Sequence, residues 1–279
     1  MKRDAMDINE YLYKDDFDLM FRRQGWYGFS YKSLYNDPDV LRLRWIDPPS
    51  SDKKYSPRAF FDRFGDNTFR KLLRAIFSES CKYEKLTNMC SQQKLDDHLT
   101  FMKEQEIIVV DGELLSKAPQ YQHIEGLGHT LEWYVAEWFR TSLKAPARHG
   151  VTVKGVADGG DLDVVAFVNG LRIMVECKSG KPANITDAQL SLFLQRASEF
   201  SPEIAILLLD TESDISRQIE IINKICKNGD PLSPQNIQRS LYWGFRHLYL
   251  VNAQESLEAS LYAVLRLYHT KIKYLPFWG

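Results

Sequence analysis

Apolar residues early in the chain fall at Phe69, Leu72, Leu73, Ile76 and Phe77, the i, i+3, i+4, i+7, i+8 stripe of a helix with one buried face. A short helix over 84–89 and a third over 92–106, with Leu95, Leu99 and Met102 turned inward, follow the same logic. Two β-rich runs, 107–110 and 113–115, flank Asp111-Gly112, a favoured two-residue hairpin turn. Lys117-Ala118-Pro119-Gln120 then breaks the pattern, because proline cannot donate to a strand ladder.

Beyond Gly126 the periodicity changes. Residues 131–139 read as a helix with Leu131, Tyr134, Val135 and Trp138 on its apolar side. Three strands follow at 150–156, 162–168 and 171–177, then a helix at 187–200, an apolar strand at 204–209 and a helix at 213–227. After a loop punctuated by Pro231 and Pro234 come a strand near 247–251 and a last helix over 254–269. This order predicts an α/β core around a mixed sheet. The chain divides into an accessory region (1–60), a winged helix-turn-helix-like unit of three helices and a hairpin (61–120), and a C-terminal α/β domain (126–279).

Composition changes the picture modestly. At 279 residues, 44% hydrophobic and 26% charged, the chain is globular and long enough for two modest domains. In the first region Tyr11, Tyr13, Phe17, Phe21, Trp26, Tyr27, Phe29, Tyr31 and Tyr35 precede the loop Asp47-Pro48-Pro49-Ser50-Ser51. At that density they predict a small core, stacking on bases being their other use. A net charge of −1 argues against a protein that coats nucleic acid, although nine basic residues face four acidic ones between Arg42 and Arg74, as a solvated face or a patch. The third helix carries Asp96 and Asp97, which would repel phosphates, so the small unit suits dimerisation as well as DNA.

Cys81, Cys90, Cys177 and Cys226 form no CxxC pair, so reduced thiols are expected and a zinc site is not. No apolar run approaches a membrane span, and the N-terminus lacks the apolar core of a signal peptide, so the expectation is a cytoplasmic protein with no membrane partner. A GxxxxGK[ST] loop is absent, which argues against an ATP-driven motor. His129, His149 and His247 stand isolated and read as ordinary residues.

The informative segment runs from Gly159 to Lys178. Asn169-Gly170 between two β-rich runs predicts a tight hairpin. With Val168 facing Leu171, Asp163 faces Glu176 and Asp161 faces Lys178. Alternation then puts Leu162, Val164, Ala166, Val168, Leu171, Ile173, Val175 and Cys177 on one apolar face. Asp163, Glu176 and Lys178 cluster on the other, at one end, beside Val165, Phe167 and Met174. Two carboxylates side by side destabilise a sheet unless a cation or proton sits between them. Hard oxygen ligands suit Mg²⁺ or Mn²⁺. Lys178 is placed to orient or deprotonate a water, or to offset charge on a phosphate. Asp161 remains an alternative ligand to Asp163.

Asp163 followed at a dozen residues by Glu176-Cys177-Lys178 resembles the PD-(D/E)XK phosphodiesterase superfamily, the restriction-endonuclease-like fold. Gly128-His129-Thr130-Leu131-Glu132-Trp133-Tyr134-Val135 is similar to its first core helix, and the helix-strand-strand-strand-helix-strand order also matches. The motif's proline is missing, Leu162 preceding Asp163. The resemblance spans about 126–270 and implies an αβββαβ core. It implies metal held by Asp163, Glu176, the Cys177 carbonyl and Glu132, with Lys178 assisting the attacking water. The helix and Glu-Cys-Lys further resemble the nuclease part of CRISPR ancillary enzymes activated by cyclic oligoadenylate, and the domain order resembles Mrr-type restriction enzymes.

Both comparisons imply defence against foreign nucleic acid. The expected function is thus a Mg²⁺- or Mn²⁺-dependent endonuclease, DNA favoured over RNA, working as a homodimer. A scaffold that binds nucleic acid without cutting is the alternative. Gln189, Gln195 and Arg196 on the helix after the Lys178 strand, and Lys181 in the loop before it, are candidate substrate contacts.

Overall fold

The computed structural model describes residues 16–33, 37–41, 57–227, 229–235, 241–245, 247–254 and 256–272. Tyr11, Tyr13, Tyr35, Arg42, Arg44, Lys53, Lys54 and the Pro48-Pro49 loop, singled out in the sequence, lie outside the described residues.

Helix α1 (Asp16–Arg23) leads to a short strand β1 (Phe29–Tyr31), and α2 (Pro57–Phe64) to α3 (Asn67–Ser78). Asp66 caps α3, its carboxylate accepting from the Thr68 amide at 2.7 Å, the arrangement that satisfies an orphan donor of the first turn. Then come β2 (Cys81–Lys82), α4 (Tyr83–Leu86), α5 (Gln92–Glu104), β3 (Ile108–Asp111) and β4 (Leu114–Lys117). The three strands form an antiparallel sheet in the order β2-β4-β3. Asp111 pairs with Leu114, so the turn is Gly112-Glu113, one residue later than the sequence suggested. Gly112 sits first in it with φ +58°, which glycine tolerates without penalty.

The second part comprises α6 (Gly128–Ser142), β5 (Ala147–Val153), β6 (Asp161–Val168), β7 (Leu171–Ser179), α7 (Asp187–Phe200), β8 (Ile204–Asp210) and α8 (Ser216–Ile225). It ends with β9 (Ser233–Pro234), β10 (Leu241–Gly244), β11 (Leu248–Asn252) and α9 (Leu257–Ile272). Its sheet is mixed, in the order β1-β5-β6-β7-β8-β11-β10-β9. Strands β5, β6 and β7 form an antiparallel meander, and β7, β8 and β11 run parallel. Every residue of β8 is buried, as expected for a central parallel strand covered on both faces. The chain is therefore a mixed α/β protein with a large mixed sheet.

Two departures from the sequence reading bear on the site. First, part of the N-terminal region belongs to the C-terminal sheet: β1 extends it by pairing with β5. Phe17 and Phe21 of α1 pack on Phe167, and Phe21 stacks on Phe200. The described aromatics thus serve as core, Tyr27 at 65% exposure excepted, each buried phenylalanine contributing about 1.5–3 kcal/mol. Second, both faces of the β6–β7 hairpin are buried. Val164, Ala166, Ile173 and Val175 join a core shared with α2, α3 and α6, whereas Val165, Phe167 and Met174 join one shared with α1 and α7. Phe60, Phe61 and Phe64 of α2 pack on Trp133 and Tyr134 of α6, so the helical unit and the sheet share one core.

Candidate active site

Asn169 (φ +52°) and Gly170 (φ +81°) make the tight turn whose twist matches that of the flanking strands. The expected register holds from Val168–Leu171 to Val164–Val175 and stops there. β6 continues along β5 to Asp161–Thr152, and β7 continues along β8 to Ser179–Asp210. The two strands therefore part at Asp163 and Glu176, each following its outer neighbour. Leu162 accordingly joins the layer of Val165 and Phe167 rather than that of Val164. The β5–β6 pairing is irregular at the same place, passing from His149–Val164 to Val151–Leu162 around Gly150 at φ +54°.

Where the strands part, Asp163 reaches across: its Oδ2 accepts the Cys177 amide at 2.7 Å. Lys178 Nζ donates to Glu176 Oε1 at 2.6 Å. Glu176 is 3% exposed, and its Oε2 has no hydrogen-bond partner among the described residues. Burial, then Glu176 and Glu132, push the Asp163 carboxyl well above its ordinary range. Burial opposes charge on Lys178, but Glu176 and Asp163 outweigh it and raise its pKa, so Lys178 is an ammonium at neutral pH. That favours orienting or charge-offsetting work over proton abstraction. The Cys177 thiol is pushed up by burial and is inert.

Glu132 comes from α6, the helix that covers β5, β6 and β7. It is 9% exposed, and His129 Nδ1 lies 3.4 Å from its Oε1. His129, read as an ordinary residue from the sequence, has its pKa raised chiefly by this hydrogen bond. Lys32 is a second group the sequence did not offer. Its ammonium lies 3.3 Å from Asp39 and 3.6 Å from Asp37. Burial opposes its charge, yet Asp37, Asp39 and also Glu132 raise its pKa. Asp37 in turn meets the fully buried His149 Nε2 at 3.1 Å. The Leu41 amide donates to Thr130 Oγ1 at 2.9 Å, so residues 37–41 lie across the first turn of α6.

Asp163, Glu176, Lys178 and Glu132 thus interact with one another, while the other candidates scatter. Asp161 is exposed and pairs with Thr152, away from Lys178. Gln189 completes a capping box with Thr186, a structural use of its amide. Gln195 bonds Glu199 on the same helix. Arg196 is 8% exposed and turns to the Ala157 and Asp158 carbonyls, bracing the turn before β6. Lys181 is exposed in the loop after β7. The described basic residues of the 42–74 excess are engaged: Arg58 with Asp62, Arg63 with Asp97, Arg70 and Arg74 with Asp210, Lys71 with Glu212.

The carboxylate set fits a hard divalent cation in chemistry. Among the described residues no group of three or more His, Cys, Asp or Glu side chains is already arranged to hold an ion. Mg²⁺ needs less, keeping several waters and using one or two carboxylates. Asp163, whose charge is opposed by burial and then by Glu176 and Glu132, and Glu176, with its Oε2 unpartnered, are the two carboxylates such an ion would use.

No protein-family profile matches the sequence, and no match appears among curated proteins. Two solved structures are similar in fold at low identity. Protein VC1899 from Vibrio cholerae is 13% identical, aligned over 86% of this chain and 58% of its own, with a TM-score of 0.48. Can2 from Sulfobacillus thermosulfidooxidans, in complex with cyclic tetra-adenylate, is 15% identical, aligned over 85% of this chain and 66% of its own, with a TM-score of 0.43. The chain thus spans less than two thirds of the length of either, and neither likeness is close enough to carry an activity across.

Proposed function

We propose that this chain is a divalent-metal-dependent nuclease of PD-(D/E)XK type, with Asp163, Glu176 and Lys178 at its centre. One observation carries the reading. Two acidic side chains and a lysine converge where β6 and β7 part, and the buried Glu176 keeps one oxygen unpartnered. A buried carboxylate oxygen without a partner is costly, and such sites are functional candidates.

Asp163 and Glu176 would hold Mg²⁺ or Mn²⁺, with the Cys177 carbonyl and Glu132 as further ligands. When bound, the metal supplies Lewis acidity to a phosphoryl oxygen. The protein's own groups do the rest. The Cys177 amide fixes the Asp163 carboxylate. Lys178, held by Glu176, donates hydrogen bonds to the attacking water or a phosphate oxygen and offsets developing negative charge. His129 steadies Glu132. In-line attack by water then separates the phosphodiester.

The helix-strand-helix-helix-strand-strand order of the small unit, with its β2-β4-β3 sheet, supports the winged-helix reading, in which β3–β4 would be the wing. Asp96 and Asp97 on α5 are tied to Gln92, Tyr83 and Arg63, and Val109, Val110 and Leu114 on the hairpin are 39–43% exposed. Engaged aspartates and exposed apolar side chains suit a protein partner, such as a second copy, better than phosphates.

The scaffold reading draws on the absence of a ready-made ligand cluster among the described residues. The deciding experiment is cleavage of plasmid, linear duplex, single-stranded DNA and RNA in Mg²⁺, Mn²⁺ or EDTA. Cutting that needs metal and is lost in Glu176→Ala and Lys178→Ala supports the nuclease, and the preferred substrate tests DNA against RNA. No cutting under any condition, with no heat of metal binding by calorimetry, favours the scaffold.

A further inference from the structure

A cleft of about 720 Å³ lies between α3 and the ends of the central strands. Ser179, Gly180 and Lys181 line one side, immediately after Lys178. Gly126 and Leu127 line another, leading into the helix that carries Glu132. Ser179 follows Lys178 at one Cα step, about 3.8 Å. Glu132 is five helical residues from Leu127, about 8 Å along the axis. Lys178 and Glu132 do not line the cleft themselves, and Ser179 faces the other side of β7 from Lys178, but the segment that follows Lys178 and the one that leads into the Glu132 helix both do.

Its walls are of two kinds. Phe77, Met89, Ala75 and Leu127 give it an apolar side, with Met89 37% exposed. Lys71 and Lys181 stand on its rim. Lys71 pairs with Glu212 at 2.6 Å, the side chains being 39% and 49% exposed. Such surface pairs hold together by at most about 1 kcal/mol, so a phosphate can take the lysine cheaply. Lys181 is exposed, and its ammonium makes no ion pair among the described residues. Of the acidic residues in its lining, buried Asp210 is matched by Arg70 and Arg74, Glu212 is paired with Lys71, and Glu125 is exposed.

Apolar surface beside rim cations is what one nucleic-acid strand asks of a groove: a wall for the bases and ammonium groups for the phosphates. We propose that this cleft carries the substrate strand out of the active site, with Lys71 and Lys181 on its phosphates and Met89 against a base. The inference rests on the nuclease reading for its substrate, and it assigns the helical unit a direct part in binding through α3.

The test is fluorescence anisotropy of end-labelled DNA and RNA oligonucleotides on the full chain, in a Glu176→Gln background that does not cut. Lys71→Ala combined with Lys181→Ala should weaken binding at least tenfold. It should also lower the slope of log affinity against log salt by about two, one for each phosphate no longer neutralised. Lys103→Ala with Lys224→Ala, exposed elsewhere, should change neither. In the cutting enzyme the cleft pair should raise KM and leave kcat unchanged. Equal weakening in the control pair, unchanged binding in the cleft pair, or no binding by the parent overturns the proposal. A wild type that never cuts, yet binds through Lys71 and Lys181, keeps the cleft and sinks the nuclease. A wild type that cuts with KM indifferent to both lysines does the reverse.

Discussion

Lys178 Nζ lies 2.6 Å from one oxygen of Glu176 while the other oxygen of that carboxylate, though buried, has no partner among the described residues. The lysine is thereby aimed and the free oxygen kept for something else. Lys178→Ala should leave the fold intact and reduce cleavage by about 10²–10³, the usual consequence of removing one charge-stabilising donor. Metal affinity by calorimetry should change little, whereas Glu176→Gln should lose both cleavage and most of the heat. Equal loss of metal binding in the two variants would show that Lys178 shapes the ligand set instead.

Asp163 has a carboxyl held well above its ordinary value of 3.8 by burial, Glu176 and Glu132. A pKa raised in the folded state means a contribution that is intact below the unfolded value and lost as pH rises through the folded one. Without metal, ionised Asp163 is therefore a cost at neutral pH. Asp163→Asn, whose amide oxygen can still accept from Cys177, should raise Tm in EDTA near pH 7, by about 2–4 °C for each kcal/mol relieved. The gain should shrink towards pH 4. Mg²⁺ should stabilise wild type and not the variant. A variant less stable than wild type in EDTA at neutral pH would contradict this account.

Much of this site was legible because it is local. Asn169-Gly170 dictates a turn type, the turn dictates the register, and alternation brings Asp163 and Glu176 to one end. The parting of the strands was not legible, since it depends on β5 and β8 drawing β6 and β7 outwards, pairings distant in sequence. The same holds for β1 and for Lys32, which reach the site only through tertiary pairing with β5. The edge strand β9 and its neighbour β10 are two and four residues long, too short for periodicity to reveal. Gln189 is different. Thr186 three residues before it spells a capping box, a signal that would have removed it from the substrate contacts.

Arg70 is fully buried in α3, its Nε 3.0 Å from both oxygens of Asp210 and its Nη1 bonded to the Phe64 and Gly65 carbonyls. Asp210 ends β8, in register with Ser179, so this pairing ties the helical unit to the strand next to Lys178. Arg70→Met strands Asp210 with Arg74 alone and should cost about 3–5 kcal/mol, lowering Tm by about 10 °C. Arg74→Met, at a side chain 23% exposed, should cost less than half as much. Urea unfolding would compare them, and similar losses would mean that burial at Arg70 is not what sets the penalty.

Asp37 joins the segment over α6 to the buried His149, and it works in the opposite pH direction from Asp163. Burial alone would raise its carboxyl. Hydrogen bonds from His149 and the Asp39 amide, with Lys32 nearby, override that and depress it from 3.8 to about 2. A depressed pKa contributes stability that is present above the unfolded value and lost as pH falls through the folded one. The window is therefore about pH 4 down to about 2, and a depression of that size corresponds to about 2 kcal/mol. Asp37→Asn should be less stable than wild type by about that amount at pH 5 and above. The difference should narrow below pH 4 and close near pH 2. Urea unfolding between about pH 3 and 6 reads it, and a penalty that stays constant across that range would mean that Asp37 acts through packing rather than charge.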